Sequence, residues 1–157
     1  MHLEYFELVD RVEEMDLGAG TIRVVSTLPE ASPVFDGHFP KYPILPGVMM
    51  LEVMNQTAGL LLYRRFGGDR FFFLGSVRRA RFRRPVKPGA VIEAYARITK
   101  DGDSFFLAET TLRLAGEIAA DAEIVLISQA FPTPEVRDAL AARIAATVTF
   151  AETDSLG

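Results

Sequence analysis

The sequence predicts an α+β domain in which one curved antiparallel sheet wraps around a single apolar helix, with a second helix at the C-terminal end. Three observations predict it. Residues 44–63, ILPGVMMLEVMNQTAGLLLY, are apolar over a helical length. Four strand-like segments follow, and Asp101-Gly102 and Ala115-Gly116 stand where hairpin turns would join them. Two further strand-like segments come before. One sheet around one apolar helix gives each a partner for its apolar surface.

Residues 3–9 and 20–28 read as strands, rich in β-branched and aromatic side chains. Residues 29–46 hold Pro29, Pro33, Pro40, Pro43 and Pro46, too many for a regular helix or a central strand. Phe35, Phe39, Tyr42, Ile44 and Leu45 give this loop enough apolar surface to pack as an ordered segment. The helix starts near Pro46-Gly47, runs to about Phe66 and stops at Gly67-Gly68. Its apolar residues surround it, so burial on all sides is expected. Strands are expected at 71–77, 91–99, 104–114 and 117–127. Thr133-Pro134-Glu135 then opens a second helix, with Val136, Leu140, Ile144 and Val148 as its apolar stripe. Residues 1–130 form the main domain, and 131–157 are a helical extension expected to pack on the outside of the sheet.

The 157 residues suit one domain, and 49% are hydrophobic, enough for a packed core. A net charge of -4 argues against a general nucleic-acid binder. There is no cysteine, which excludes disulfides, thiolate metal sites and cysteine nucleophiles. His2 and His38 are the only histidines, and His2 is expected in a frayed terminus, so no metal site is expected. MHLEYFELVDRVEEMD has no basic or apolar leader, so no signal peptide is expected and the cytoplasm is the default location. Glu52, Asn55 and Gln56 lie inside the most apolar stretch. A central acidic residue alone would cost a membrane span roughly 2.5–3.5 kcal/mol, so a buried helix of a soluble protein is the better reading.

Chemistry concentrates in GHFPKYPILPGVMMLEVMNQTAG, residues 37–59. His38 lies in the proline-rich loop, and Glu52 follows fourteen positions later on the apolar helix. An acidic residue in a dry helix must be paired, or it takes up a proton and can act as a general acid. A nearby histidine can act as the base. Base plus carboxylic acid suits elimination, in which one group removes a proton from carbon and the other protonates a leaving hydroxyl. Gly47 sits where helix amides lack partners and the dipole is positive, a place to polarise a thioester carbonyl. Gln56, one turn past Glu52, can orient its carboxyl. Each part also has a plainer reading: a loop histidine is usually structural, Glu52 can pair with a strand arginine, and prolines can merely stiffen a loop. All three together favour elimination.

The same segment resembles the active-site signature of the bacterial 3-hydroxyacyl-acyl-carrier-protein dehydratases of fatty-acid synthesis. The resemblance is to the non-isomerising type, since the isomerising type has aspartate where this chain has Glu52. FFFLGSVRRARFRRPVKPGAVIE, residues 71–93, resembles the next block of that family, and the likeness runs from about Phe6 to Ile127. It implies a hotdog fold and catalysis by His38 and Glu52. Gly47 would offer its N–H to the thioester carbonyl, the Ile44 carbonyl would orient His38, and Gln56 would support Glu52. It further implies active sites shared between two protomers, a homodimer or trimer of dimers, and a substrate carried on the phosphopantetheine of acyl carrier protein, with no other cofactor.

Two features depart from that pattern. Lys41-Tyr42 replaces a glycine-containing pair, so Tyr42 would narrow or line the substrate entrance, and Phe39 is expected to contact substrate. LEYFELVDRVE lacks the longer aromatic-proline entry of housekeeping members and is closer to dehydratases serving a specialised carrier. Phe82 is expected to point inward and contact substrate, whereas Phe71, Phe72 and Phe73 are expected in the core rather than in an acyl tunnel. Arg78, Arg79, Arg81, Arg83, Arg84 and Lys87 form a basic run in an acidic chain. They are either solvated surface or the docking site of the acidic carrier. The competing readings are a hotdog thioesterase, which would need no histidine at this spacing, and a non-catalytic acyl or carrier binder.

Overall fold

The computed structural model describes residues 1–151 of the chain. A short 3-10 turn, Leu3–Tyr5, precedes strands β1 (Arg11–Asp16) and β2 (Thr21–Thr27). Helix α1 (Pro33–Gly37) lies in the proline-rich loop, and the long helix α2 (Gly47–Arg65) follows it. Strands β3 (Arg70–Phe82), β4 (Val91–Asp101), β5 (Phe105–Leu114) and β6 (Glu117–Ala130) form the rest of the main sheet. Helix α3 (Pro134–Thr147) and the two-residue strand β7 (Thr149–Phe150) complete the described chain. The sheet order is β3-β6-β5-β4-β2-β1-β7, antiparallel throughout except for the β1–β7 pair.

Helix α2 packs against β2, β3, β4, β5 and β6. Its Val53, Met54, Ala58, Leu61 and Leu62 are fully enclosed with Ile22, Val24, Ile92, Leu112, Ile124 and Leu126 of the sheet. The alternating burial of β2, β4, β5 and β6 is what a sheet packed on one face requires. This is the hotdog architecture. Ala115 and Gly116 both adopt left-handed backbone, as a tight two-residue hairpin demands. β3 bulges at Gly75, where a Cβ would come within 2.6 Å of the Ile127 side chain.

Several sequence expectations are corrected. Residues 3–9 are not a strand: Phe6 turns left-handed at φ 55°, and Leu3 and Leu8 plug the core on either side of it. The strand lies further on, at Arg11–Asp16. The N-terminus does not fray, since the Met1 ammonium pairs with Asp10 at 2.5 Å. α1 forms where a loop was expected because the Ser32 hydroxyl caps the Val34 amide and Pro33 opens the first turn. β3 runs to Phe82, well past the expected end at 77.

Helix α2 is not buried on all sides. Val48, Leu51, Glu52, Gln56, Gly59 and Tyr63 are exposed or only half-buried, and their spacing marks one continuous face. The sheet covers the other sides and leaves this one open. Helix α3 does not lie on the outer face of the sheet. It leaves β6, beside the β3 edge, and delivers the chain to β7 at the opposite edge. Its Leu140, Ile144 and Val148 border the same cavity as Glu52, Gln56 and Gly59, so it crosses on the α2 side. Residues 152–157 of the expected extension lie outside the described residues. No helix is long and apolar enough to cross a membrane among those described.

Candidate active site

His38 is the C-cap of α1 and is half-buried. Its backbone carbonyl accepts from the Ile44 amide at 2.9 Å, while its Nδ1 lies 3.3 Å from the Ile44 carbonyl. A carbonyl only accepts, so Nδ1 carries the hydrogen in this bond and Nε2 is left with its lone pair. Phe39 stacks on the imidazole at 4.2 Å between centroids, and Phe39 and Tyr42 bond to each other through both backbone amides. The loop is thus a closed turn that holds the imidazole through Nδ1. The Leu45 amide ties it to Val86 at 2.7 Å.

The start of α2 lies immediately downstream. The Pro46 carbonyl accepts from Met49 and Met50, and among the described residues Gly47 and Val48 donate their amides to no other group. These are the orphan donors of a helix N-terminus. A Cβ at Gly47 would meet the Phe82 ring at 3.4 Å, so Phe82 sits directly over this turn. Phe82 is not buried inward as expected: it is 46% exposed. Val48 beside it is 73% exposed.

Glu52 is half-buried on the open face of α2, so it is not sealed in a dry interior. Two amides hold its carboxylate. Gln56 Nε2 donates to Oε1 at 3.0 Å, and Asn55 Nδ2 donates to Oε2 at 3.0 Å. Gln56 is itself fixed, donating to the Phe6 carbonyl at 2.9 Å and accepting from the Leu8 amide at 3.3 Å. The sequence reading named Asn55 as a polar residue of the helix but not as a partner of Glu52. Its signal was available, because the i+3 position of a helix shares a face with Glu52 as the i+4 position does.

A cavity of about 430 Å³ opens beside Glu52, within the roughly 300–1,000 Å³ typical of small-ligand sites. Asn55, Gln56, Leu60, Tyr63 and the strand aromatics Phe71, Phe72 and Phe73 line it. For these three phenylalanines the core was favoured over an acyl tunnel. All three are half-buried, and Phe72 both packs on Phe66 and Phe106 and faces the cavity. His38, Phe39, Tyr42, Gly47 and Phe82 do not line it, and no hydrogen bond joins His38 to Glu52 among the described residues. Within the chain, His38 and Glu52 therefore share neither this cavity nor a hydrogen bond.

The basic run is less free than its sequence suggests. Arg78 pairs with Glu123 at 3.3 Å, Arg79 and Arg83 flank Asp121, and Arg84 pairs with Glu117. Arg81 has no carboxylate partner among the described residues, and the Lys87 ammonium lies 5.7 Å from the Tyr42 ring centroid. β6 supplies all three carboxylates, and two of them, Asp121 and Glu123, are in register with Arg81 and Arg79. The strip keeps more cations than carboxylates, and its exposed pairs are each worth about 0–1 kcal/mol.

A family profile described as a FabA-like domain matches residues 1–123. A 3-hydroxyacyl-[acyl-carrier-protein] dehydratase FabZ of Actinobacillus succinogenes is 38% identical over 125 residues, covering 76% of this chain and 81% of the relative. The FabZ of Nitratiruptor sp. is 33% identical over 130 residues, covering 78% and 87%. Among solved structures, a Streptococcus mutans protein bound to acetyl CoA superposes with a TM-score of 0.61 at 13% identity, covering 79% of this chain and 91% of that one. A Haemophilus influenzae thioesterase gives 0.56 at 13% identity, covering 74% and 77%. These structural likenesses show the shared fold alone. The family profile spans His38, Gly47 and Glu52, and on it and the sequence relatives the chain belongs to the FabA-like family, among the dehydratases named FabZ.

Proposed function

We infer that the protein dehydrates 3-hydroxyacyl thioesters carried on acyl carrier protein to trans-2-enoyl thioesters, in the cytoplasm, as a step of fatty-acid or related lipid synthesis. The carrying observation is the pair of prepared groups: an imidazole whose Nδ1 is committed to the Ile44 carbonyl, and a carboxyl gripped by Gln56 and Asn55. The thioester carbonyl accepts from the Gly47 amide at the positive end of α2, which acidifies the C2 proton. His38 Nε2 takes that proton as the C2–H bond breaks. The electron pair forms the C2=C3 double bond, and the C3–O bond breaks as Glu52 delivers its proton to the leaving hydroxyl, releasing water. Proton exchange between the protonated His38 and the ionised Glu52 resets the site.

The active site is composite, with His38 of one protomer meeting Glu52 of its partner. Three features support this reading. The two groups do not share a cavity within one chain. The open face of α2 carries an exposed Val48. The thirteen-residue strand β3 is an uncovered sheet edge, a surface that soluble proteins normally pair or protect. Edge pairing of β3 with a second copy would satisfy it, giving a homodimer and, by further association, a trimer of dimers. Phe39 and Tyr42, each 52% exposed beside His38, and Phe82 over Gly47, line the substrate's entry. Arg81 and Lys87 form the accessible centre of the carrier-docking strip, with Arg78, Arg79, Arg83 and Arg84 exchanging their internal partners for the carrier's carboxylates.

The test is to present purified protein with carrier-linked 3-hydroxyacyl substrates of graded length and to follow the ultraviolet absorbance of the enoyl product beside thiol release. Enoyl product without thiol release is the expected result. Thiol release alone would make the protein a thioesterase, and neither signal would leave it a binder.

A further inference from the structure

Helix α3 and the turn after it lie beyond the family-matched segment 1–123. The helix leaves β6 and reaches β7, five strand positions away across the sheet. Five spacings of about 4.8 Å span about 24 Å. A fourteen-residue helix is about 21 Å long. The helix is therefore about the right length to strap the open side of the sheet from β6 to β7, and β7 fastens its far end by pairing with Arg11 and Val12 of β1.

The strap is also fastened at its middle. The Arg143 guanidinium donates to the Tyr5 carbonyl at 2.6 Å and lies 3.8 Å from the Glu7 carboxylate. The next carbonyl, that of Phe6, accepts from Gln56, which holds Glu52. The inner surface of the strap presents Leu140, Ile144 and Val148 to the cavity beside Glu52, opposite Leu60 and Phe72. That cavity has a polar end at Glu52, Asn55 and Gln56 and further polar groups where Glu7, Arg143 and Thr147 join its wall, and the rest of its lining is apolar. A ligand matching it is an unbranched hydrocarbon chain whose functional group ends at Glu52.

We propose that α3 is a specificity strap: it forms the wall that limits how long an acyl chain the site accepts, with Leu140 and Ile144 as the length-determining residues. This rests on the dehydratase reading of the same site. Each methylene that enters the cavity strengthens binding about fourfold, and methylenes beyond its end add nothing. Affinity plotted against chain length should therefore rise and then level.

The experiment titrates wild type, the double variant Leu140→Ala/Ile144→Ala and the variant Ile144→Phe with S-alkyl pantetheine thioethers lengthened one methylene at a time. Circular dichroism confirms that each variant is folded, and the opposite directions of the two changes keep the test informative if one is not. The expected result is a plateau displaced to longer chains in the double variant and to shorter chains in Ile144→Phe. A plateau at the same length in the folded variants overturns the proposal. Thioethers cannot react, so this outcome does not depend on turnover. Dehydration of 3-hydroxyacyl substrates by wild type, measured in parallel, judges the dehydratase reading separately.

Discussion

Gln56→Leu should separate two jobs that one side chain performs. Gln56 holds the Glu52 carboxylate, and it also staples the N-terminal segment through the Leu8 amide and the Phe6 carbonyl. Leu8 is fully buried, so its amide would be left without a partner at a cost of about 1–3 kcal/mol, with the 3.3 Å bond favouring the lower end. Phe6 is exposed and its carbonyl can turn to water, so losing that bond costs about 1 kcal/mol. The sum, about 2–4 kcal/mol, corresponds to a fall in Tm of roughly 5–15 °C for a chain of this size. Activity should fall about tenfold at temperatures where the variant is folded, because one of the two hydrogen bonds fixing Glu52 is gone. The decisive assay is a cycle with Glu52→Gln. Gln56→Leu should still lower Tm in the Glu52→Gln background, but it should remove almost no further activity there. A full tenfold additional loss in that background would show that Gln56 does not act through Glu52, and the reasoning would fail.

Other outcomes follow from the same geometry. His38→Ala and Glu52→Gln should each lower kcat by about 10²–10⁴-fold in a folded protein, and unchanged turnover of either variant would remove that residue from the mechanism. Reversing Arg81 and Lys87 to glutamate should raise KM for carrier-linked substrate and flatten its salt dependence, while a carrier-free thioester is turned over as before; equal losses on both would assign these side chains to the fold. Gly59→Ala should raise stability by about 1 kcal/mol in thermal or denaturant unfolding, because the added Cβ meets nothing closer than Leu126 at 3.8 Å and removes a glycine from the middle of α2.

The sequence made some of this architecture plain and hid the rest for identifiable reasons. α2 was legible at both ends because Pro46-Gly47 and Gly67-Gly68 bracket an apolar run of helical length. The β5–β6 hairpin was legible because Ala115-Gly116 can take the left-handed backbone its turn needs. Arg11–Asp16 was missed because four of its six residues are charged and a bulge between Val12 and Glu14 breaks its period. The β-branched and aromatic content of residues 3–9 misled in the same region, where Leu3 and Leu8 are instead two plugs flanking the turn at Phe6. In the site, Gly47, Glu52 and Gln56 stand in helix relationships that spacing can express, whereas the Ile44 carbonyl beside His38 was implied only by the family resemblance. The partner amide of Asn55 was equally local and was overlooked. What spacing could not express is long-range: the carboxylates of β6 that face the basic run, and the open face of α2 that the stripe of α3 meets. Both depend on which strands become neighbours, which no single segment encodes.

If His38 and Glu52 perform one dehydration from two different protomers, mixing His38→Ala with Glu52→Gln under conditions of subunit exchange should restore enoyl product. In a random mixture half the dimers are mixed, and each mixed dimer holds one site with both groups intact, so about a quarter of wild-type activity should return. A mixture that exchanges subunits yet stays as inactive as its components, beside an active wild type, would contradict the account.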